Sequence, residues 1–283
     1  MNAKALVLGL AVAASALAGS ARPAAAQATT VTTRPVVEFS TRGGFVLYNI
    51  NLKVYASGLV VCTETFPRQP GETLIFHDIL NLRDYRAFTA AVPANFNRLP
   101  ARLYFRAPIA DLPDRIVTVR GKKVEWLGRY QAGAPLPDQA FQDFVTKCGE
   151  LFERAANREY CRFSRSGGFA FQQDDLVIKN DGSAHVTSQG ALANVDEDYR
   201  VPVADMNELK RRFSRTNVWG YIWYQYPRTF ATPGGADQRQ YSITWNGPYG
   251  PKTVGSEDGA NEGATYRLVK EQIEKILQDA QTP

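Results

Sequence analysis

The sequence predicts an α+β protein of two similar tandem domains. Each is expected to be an antiparallel sheet with two helices packed on one face, in the order βββ-α-βββ-α. Three observations predict this. The chain repeats itself, with STRGGFV at 40–46 and SRSGGFA at 164–170. Short alternating apolar segments are broken by Gly-containing turns, the pattern of a meander. Each half also carries two stripes of apolar residues at helical spacing.

The repeat extends beyond the double glycine. One constant offset carries Phe39 to Phe163, Ser40 to Ser164, Gly43 to Gly167, Gly44 to Gly168, Phe45 to Phe169, Leu52 to Leu176 and Gly58 to Gly182. A slightly longer offset then aligns Asp111 with Asp237, Thr118 with Thr244 and Gly121 with Gly247. Self-similarity at this length marks a duplicated unit. It divides the chain into a leader, 1–28, and two repeats, 29–156 and 157–283.

In each repeat the first strand is read at 36–40 and 161–164, and the glycine pair interrupts it. Two adjacent glycines supply backbone conformations closed to other residues, so Gly43, Gly44, Gly167 and Gly168 are expected to shape a bulge or reversal. Phe45 and Phe169 are expected to anchor that turn in the core. A second strand (47–55, 172–179) ends at Ser57-Gly58 or Asp181-Gly182, which are hairpin signals. A third strand (59–63, 184–187) follows, and the polar stretches 64–79 and 188–200 read as loops.

LRDYRAFTAAV at 82–92 places Leu82, Tyr85, Phe88 and Val92 on one helical face. VADMNELKRRF at 203–213 does the same with Val203, Met206, Leu209 and Phe213. Strand text returns at 103–105, 115–119, 124–128, 219–226, 241–245 and 250–254. Pro137-Asp138 announces the closing helix of the first repeat. Tyr266, Val269, Ile273, Ile276 and Leu277 form the stripe of the last helix.

The first residues, MNAKALVLGLAVAASALAGSARPAAAQA, have a cationic start, a short apolar stretch and small residues suited to cleavage after Ala26 or Ala28. A cleaved signal peptide is expected, with a periplasmic or extracellular mature protein and no stable membrane insertion. Lys4 and Arg22 supply two of the five excess positive charges and leave with the leader. The small remainder, with no dense basic run, argues against nucleic acid as a partner. Lys210-Arg211-Arg212 reads as a solvated helix face. An oxidising compartment favours one disulfide among Cys62, Cys148 and Cys161. Cys62–Cys148 is preferred, because the closing helix can cover the strand that holds Cys62. Cys161 aligns with Val37 and reads as a small buried apolar residue. With no CxxC and two histidines, no metal site of the usual Cys/His type is expected.

FSRSGGFA, a strand, an Asp-Gly turn, a helix and then A-D-x-x-x-Y-x-I-T resemble the emfourin-type, protealysin inhibitor-like domains. Those are small proteins that inhibit thermolysin-like metallopeptidases. The fuller match is Arg165 through Phe169 with Ala236-Asp237 and Tyr241-Ser242-Ile243-Thr244, and the first repeat has Arg115 where the pattern has Tyr241. The two copies span nearly the whole mature chain. The family member of known activity is a single, non-exported domain. The resemblance implies a reversible, non-catalytic inhibitor of a secreted or periplasmic peptidase, with no cofactor.

No catalytic set is evident. His77 and His185 belong to no triad pattern and read as surface residues, and Asp196-Glu197-Asp198 reads as solvated loop. The binding candidates are Trp219, Tyr221, Trp223, Tyr224 and Tyr226 in NVWGYIWYQYP, since exposed Trp and Tyr anchor protein interfaces. They leave a second expectation open: a cell-envelope module that holds a protein or glycan without inhibiting a peptidase.

Overall fold

Phe39 and Phe163, one repeat offset apart in sequence, lie on the central strands of two different sheets with the same strand order. The computed structural model describes residues 34–43, 49–66, 72–106, 112–168, 171–190, 194–215, 229–230, 238–247 and 250–282. The expected leader lies outside them. The elements below all belong to the compact unit Pro35–Pro283. Among the described residues no helix is long and apolar enough to cross a membrane.

The first sheet contains β1 (Val37–Arg42), β2 (Asn49–Val54), β3 (Leu59–Thr65), β4 (Thr73–Ile79), β5 (Arg102–Phe105), β6 (Asp114–Val119) and β7 (Lys122–Tyr130). Its order is β4-β3-β2-β1-β6-β7-β5. The second contains β8 (Glu159–Gly167), β9 (Gln172–Lys179), β10 (Ser183–Gln189), β11 (Val195–Arg200), β12 (Thr229–Phe230), β13 (Arg239–Gly247) and β14 (Gly250–Glu257), in the order β11-β10-β9-β8-β13-β14-β12. The pairing registers correspond as well. Phe39 faces Val117 while Phe163 faces Ile243, and Phe39 faces Leu52 while Phe163 faces Leu176.

Three features differ from the expected order. First, four strands, not three, precede the first helix of each half. β4 and β11 fall within segments read as loops. TLIFHDI alternates cleanly, but the Pro- and Gly-containing stretch before it obscures the signal. VDEDYR carries consecutive acids and buries little, because β11 is an edge strand held by its pairing with β10. Second, the sheets are not wholly antiparallel: β5 runs parallel to β7, and β12 to β14. Third, Cys62, Cys148 and Cys161 are all free and buried, so the expected Cys62–Cys148 bond is not formed. Cys62 is a strand residue and Cys148 a helix residue, and each fills core volume as a small apolar group.

Gly58 shows why a hairpin position is closed to other residues. It sits at φ +83, and a Cβ there would stand 2.5 Å from the Leu80 carbonyl oxygen. That oxygen's neighbour, the Leu80 N–H, donates to the Gly58 carbonyl at 2.9 Å, so the two backbones are locked together. Gly58→Ala should therefore lower stability by about 2–3 kcal/mol through conformational strain and contact. A drop of that size in a urea titration checks it.

Among the described residues four α-helices cover the sheets: α1 (Leu82–Ala90), α2 (Gln139–Asn157), α3 (Val203–Arg215) and α4 (Ala264–Gln281). Asn81 caps α1 by accepting from the Asp84 N–H at 2.8 Å, and Asp138 caps α2 through Phe141 N–H at 2.8 Å. On α2, Phe141, Phe144, Cys148, Leu151 and Phe152 are buried, as are Tyr266, Val269, Ile273, Ile276 and Leu277 on α4. α1 buries less than its stripe predicts, since Leu82 is exposed and only Phe88 is fully inside. The buried side chains of both sheets belong to one core cluster.

The junction between the halves is a helix end plugged by a turn. α2 stops at Asn157 and β8 begins two residues later. The turn between β9 and β10 supplies the missing donors: Asn180 N–H to Arg158 O at 2.9 Å, Asp181 N–H to Ala156 O at 3.2 Å, and the Asn180 side-chain amide to Ala155 O at 2.9 Å. Carbonyls orphaned by the end of one half's helix are thus satisfied by the other half's hairpin.

Candidate functional site

Two places on this frame present chemistry to the outside. The first is the reversal after β8, which contains the repeated glycine phrase. Gly167 and Gly168 take φ of +94 and +78, and Gly43 in the first sheet takes +71. A Cβ on Gly167 would lie 2.8 Å from the Gln238 carbonyl oxygen, so this backbone approaches the strand beside it closely. Gly44, Phe45 and Phe169 lie outside the described residues.

Phe171 follows, just before β9. Its N–H donates to Gly168 O at 3.1 Å, and its own φ is +47. A left-handed backbone is costly for a bulky side chain. The ring is 85% exposed, more than any other large apolar side chain among the described residues. A strained residue that holds an aromatic ring in water is a feature that folding alone does not favour. Sequence reasoning missed Phe171, because the Phe kept by the repeat is the one that adjoins the glycines.

Behind this tip, Arg165 of the phrase points inward. Its Nε and Nη2 contact Asp174 Oδ2 at 2.8 and 2.6 Å. Tyr241 is buried, donates to Asp258 Oδ1 at 2.7 Å and carries Lys270 Nζ 4.0 Å above its ring. Arg115, its counterpart in the first sheet, stacks its guanidinium 4.7 Å over Trp126.

The second place is a cleft of about 740 Å³ between the two sheets. Its apolar wall is the outward face of edge strand β4, where Ile75, His77 and Ile79 are exposed. Tyr160 and Trp245 form the opposite wall. Phe213 buttresses them, edge-on to Tyr160 at 5.7 Å and stacked on Trp245 at 5.5 Å. His77, expected in a loop, is thus on a strand. Burial first, and then the nearby Lys210 charge, hold its imidazole below the usual histidine range.

Lys210 lines this cleft and is not the solvated helix-face residue that its sequence run implies. Its Nζ donates to Ile75 O at 2.9 Å and to Asn180 O at 3.2 Å, and lies 5.7 and 5.6 Å from the centres of the Phe76 and Tyr160 rings. Desolvation lowers it from the ordinary lysine range to about 7, opposed in part by Asp181 and Glu64. With Asn207, which donates to Thr73 O at 3.1 Å, it covers the open edge of β4. Its neighbours Arg211 and Arg212 instead pair with Glu208 on the helix surface. Asp78, which also lines the cleft, accepts from Arg154 at 2.9 Å and from Arg158 at 2.9 Å.

The other sequence candidates are dispersed. Trp219, Tyr221, Trp223, Tyr224 and Tyr226 lie outside the described residues. His185 is exposed on β10 and stands between Asp198 at 3.0 Å and Asp196 at 3.2 Å, so the acidic run lies on edge strand β11 rather than in a loop. Among the described residues no cluster of His, Cys, Asp and Glu is arranged to hold a metal ion. No protein-family model matches the chain, and no curated protein matches it.

Proposed function

We propose that this is an exported, non-catalytic binding protein that reversibly inhibits a secreted or periplasmic peptidase by occluding its cleft. The observation that carries the reading is Phe171, an aromatic ring held in solvent at the end of the glycine phrase. An aromatic ring exposed beside a hairpin turn is suited to entering a pocket on a partner, where Trp, Tyr and Phe are the usual anchors. The resemblance of SRSGGFA and its downstream A-D-x-x-x-Y-x-I-T to emfourin-type inhibitors supports a thermolysin-like metallopeptidase as the target.

The test is titration of the mature protein against thermolysin-like enzymes, with Phe171→Ala alongside. The expected result is inhibition at micromolar concentration or below, weakened by roughly 30-fold (about 2 kcal/mol) in the variant. Absence of inhibition at micromolar concentration overturns the peptidase reading. Equal potency of the variant overturns the role of Phe171.

A further inference from the structure

We infer that the cleft between the sheets binds a small apolar monocarboxylate, with its chain along Ile75, Ile79, Tyr160 and Trp245 and its carboxylate on Lys210. The cleft volume, about 740 Å³, falls within the range of small-molecule sites, roughly 300–1,000 Å³. Its walls are apolar and aromatic, and its charged lining is cationic in excess. Lys210, Arg158 and Arg211 face it, against Asp78 alone.

The local pairings sharpen that balance. Asp78 is held by Arg154 and Arg158, and Arg154 also reaches Asp84 at 3.4 Å, so this carboxylate is fully neutralised and does not oppose an anion in the cleft. Arg211 is neutralised by Glu208. Lys210 has three donor hydrogens and uses two of them on the carbonyls of Ile75 and Asn180. Among the described residues the third has no acceptor, which leaves it for a ligand. A carboxylate placed there gains a charge-assisted hydrogen bond inside a partly desolvated site, where such bonds are strong.

The charged and titratable groups around Lys210 come from every neighbouring element. Glu64 on β3, held by Arg200 of β11, Asp181 in the β9–β10 turn, His77 on β4 and Tyr160 on β8 act on it directly, and Asp78, Arg158 and Arg211 line the same cleft. An anion arriving among them favours the ammonium form of Lys210. Carboxylate binding is therefore expected to take up a proton at pH 8. Neutral apolar ligands of the same length place no charge beside the amine and are expected to take up none. This inference does not depend on the peptidase reading, because Phe171 is not among the residues that line the cleft.

The experiment is titration calorimetry of the mature protein with decanoate, decanol and decylamine, in two buffers of different ionisation enthalpy at pH 8. Decanoate is expected to bind at least tenfold more tightly than the alcohol or amine, with proton uptake. Lys210→Met should abolish the preference and the uptake. Ile79→Glu, at an exposed position in the cleft wall, should keep the fold and weaken decanoate at least tenfold. Failure of decanoate to bind overturns the inference. So does equal affinity for the alcohol, or decanoate affinity unchanged in Ile79→Glu.

Discussion

Replacing Asp174 by Ala is expected to cost about 3–5 kcal/mol of folding stability, the amount typical of leaving one partner of a buried ion pair behind. Asp174 is fully buried on β9. Its carboxylate accepts from Arg165, from Ser188 Oγ at 2.7 Å, from Gln172 at 3.1 Å and from Gln281 at 3.1 Å. Burial by itself would raise its pKa, but hydrogen bonds from Ser188, Gln172 and Arg165 hold it below the usual carboxylate range. Truncation leaves the Arg165 guanidinium, 20% exposed, without its counter-charge. It also removes one of the two hydrogen bonds, to Asp174 and to Ser188 Oγ, by which Gln281 ties the end of α4 to the sheet. Equilibrium urea unfolding measures the loss. Arg165→Met with Asp174→Leu should recover much of it, because the cost lies in the stranded charge. A loss below about 1 kcal/mol for Asp174→Ala would show that the network contributes little. The carboxyl also adds stability that is present above its unfolded pKa and lost as acid titrates it. Asp174→Asn should therefore soften the acid limb of the unfolding profile.

The second large effect is a dip in stability near neutral pH, produced by two groups at the joint between the sheets. Glu64 is 4% exposed and reaches Arg200 at 3.4 Å. Desolvation raises it to about 7, with Arg200 opposing and Asp181 adding to the rise. The folded protein therefore holds a proton that the unfolded chain gives up near pH 4.5, and this contribution is lost as pH climbs to about 7. Lys210 has the opposite sign. Its folded pKa of about 7 lies below the ordinary 10.5, so its contribution is complete only at high pH and is lost as pH falls through about 7. Each limb has a limiting slope of about 1.4 kcal/mol per pH unit, so a gain of about 2 kcal/mol is expected between pH 7 and 9. Urea midpoints across pH 5–9.5 should trace a minimum near neutrality. Glu64→Gln should flatten its acidic side and Lys210→Met its alkaline side. A wild-type profile flat from pH 5 to 9 would mean that the two groups titrate at ordinary values.

The parts of the fold that could be read in the chain are those whose signal is local. The stripes of α2, α3 and α4 are buried as their spacing predicts, because a periodicity of 3.6 residues needs no knowledge of what covers it. The two alignment offsets carry the observed pair Phe39–Val117 onto the observed pair Phe163–Ile243, although the pairing itself has no signal in the sequence. β11 was illegible for the opposite reason. VDEDYR has no apolar face, and only the neighbouring strand makes it a strand. Lys210 was illegible as well. In KRR it is one cation among three, and nothing in that text says that Ile75 and Asn180, distant in sequence, close around its amine. Phe171 was half legible: the glycine phrase marked a reversal, while the exposure of the ring depends on how β8 and β9 leave it.

The amino-acid pattern by itself determined the mixed helix-and-strand class, the main helices, the glycine reversals and the correspondence between β1 and β8, since each rests on short-range periodicity or backbone sterics. The tertiary structure alone decided the fourth strand of each half, the parallel edge strands, the free thiols, the helix end plugged by a distant turn, and the cleft with its buried amine. These depend on which groups meet across long stretches of chain. Desolvation and hydrogen-bond satisfaction are set by that meeting and leave no local mark in the order of residues.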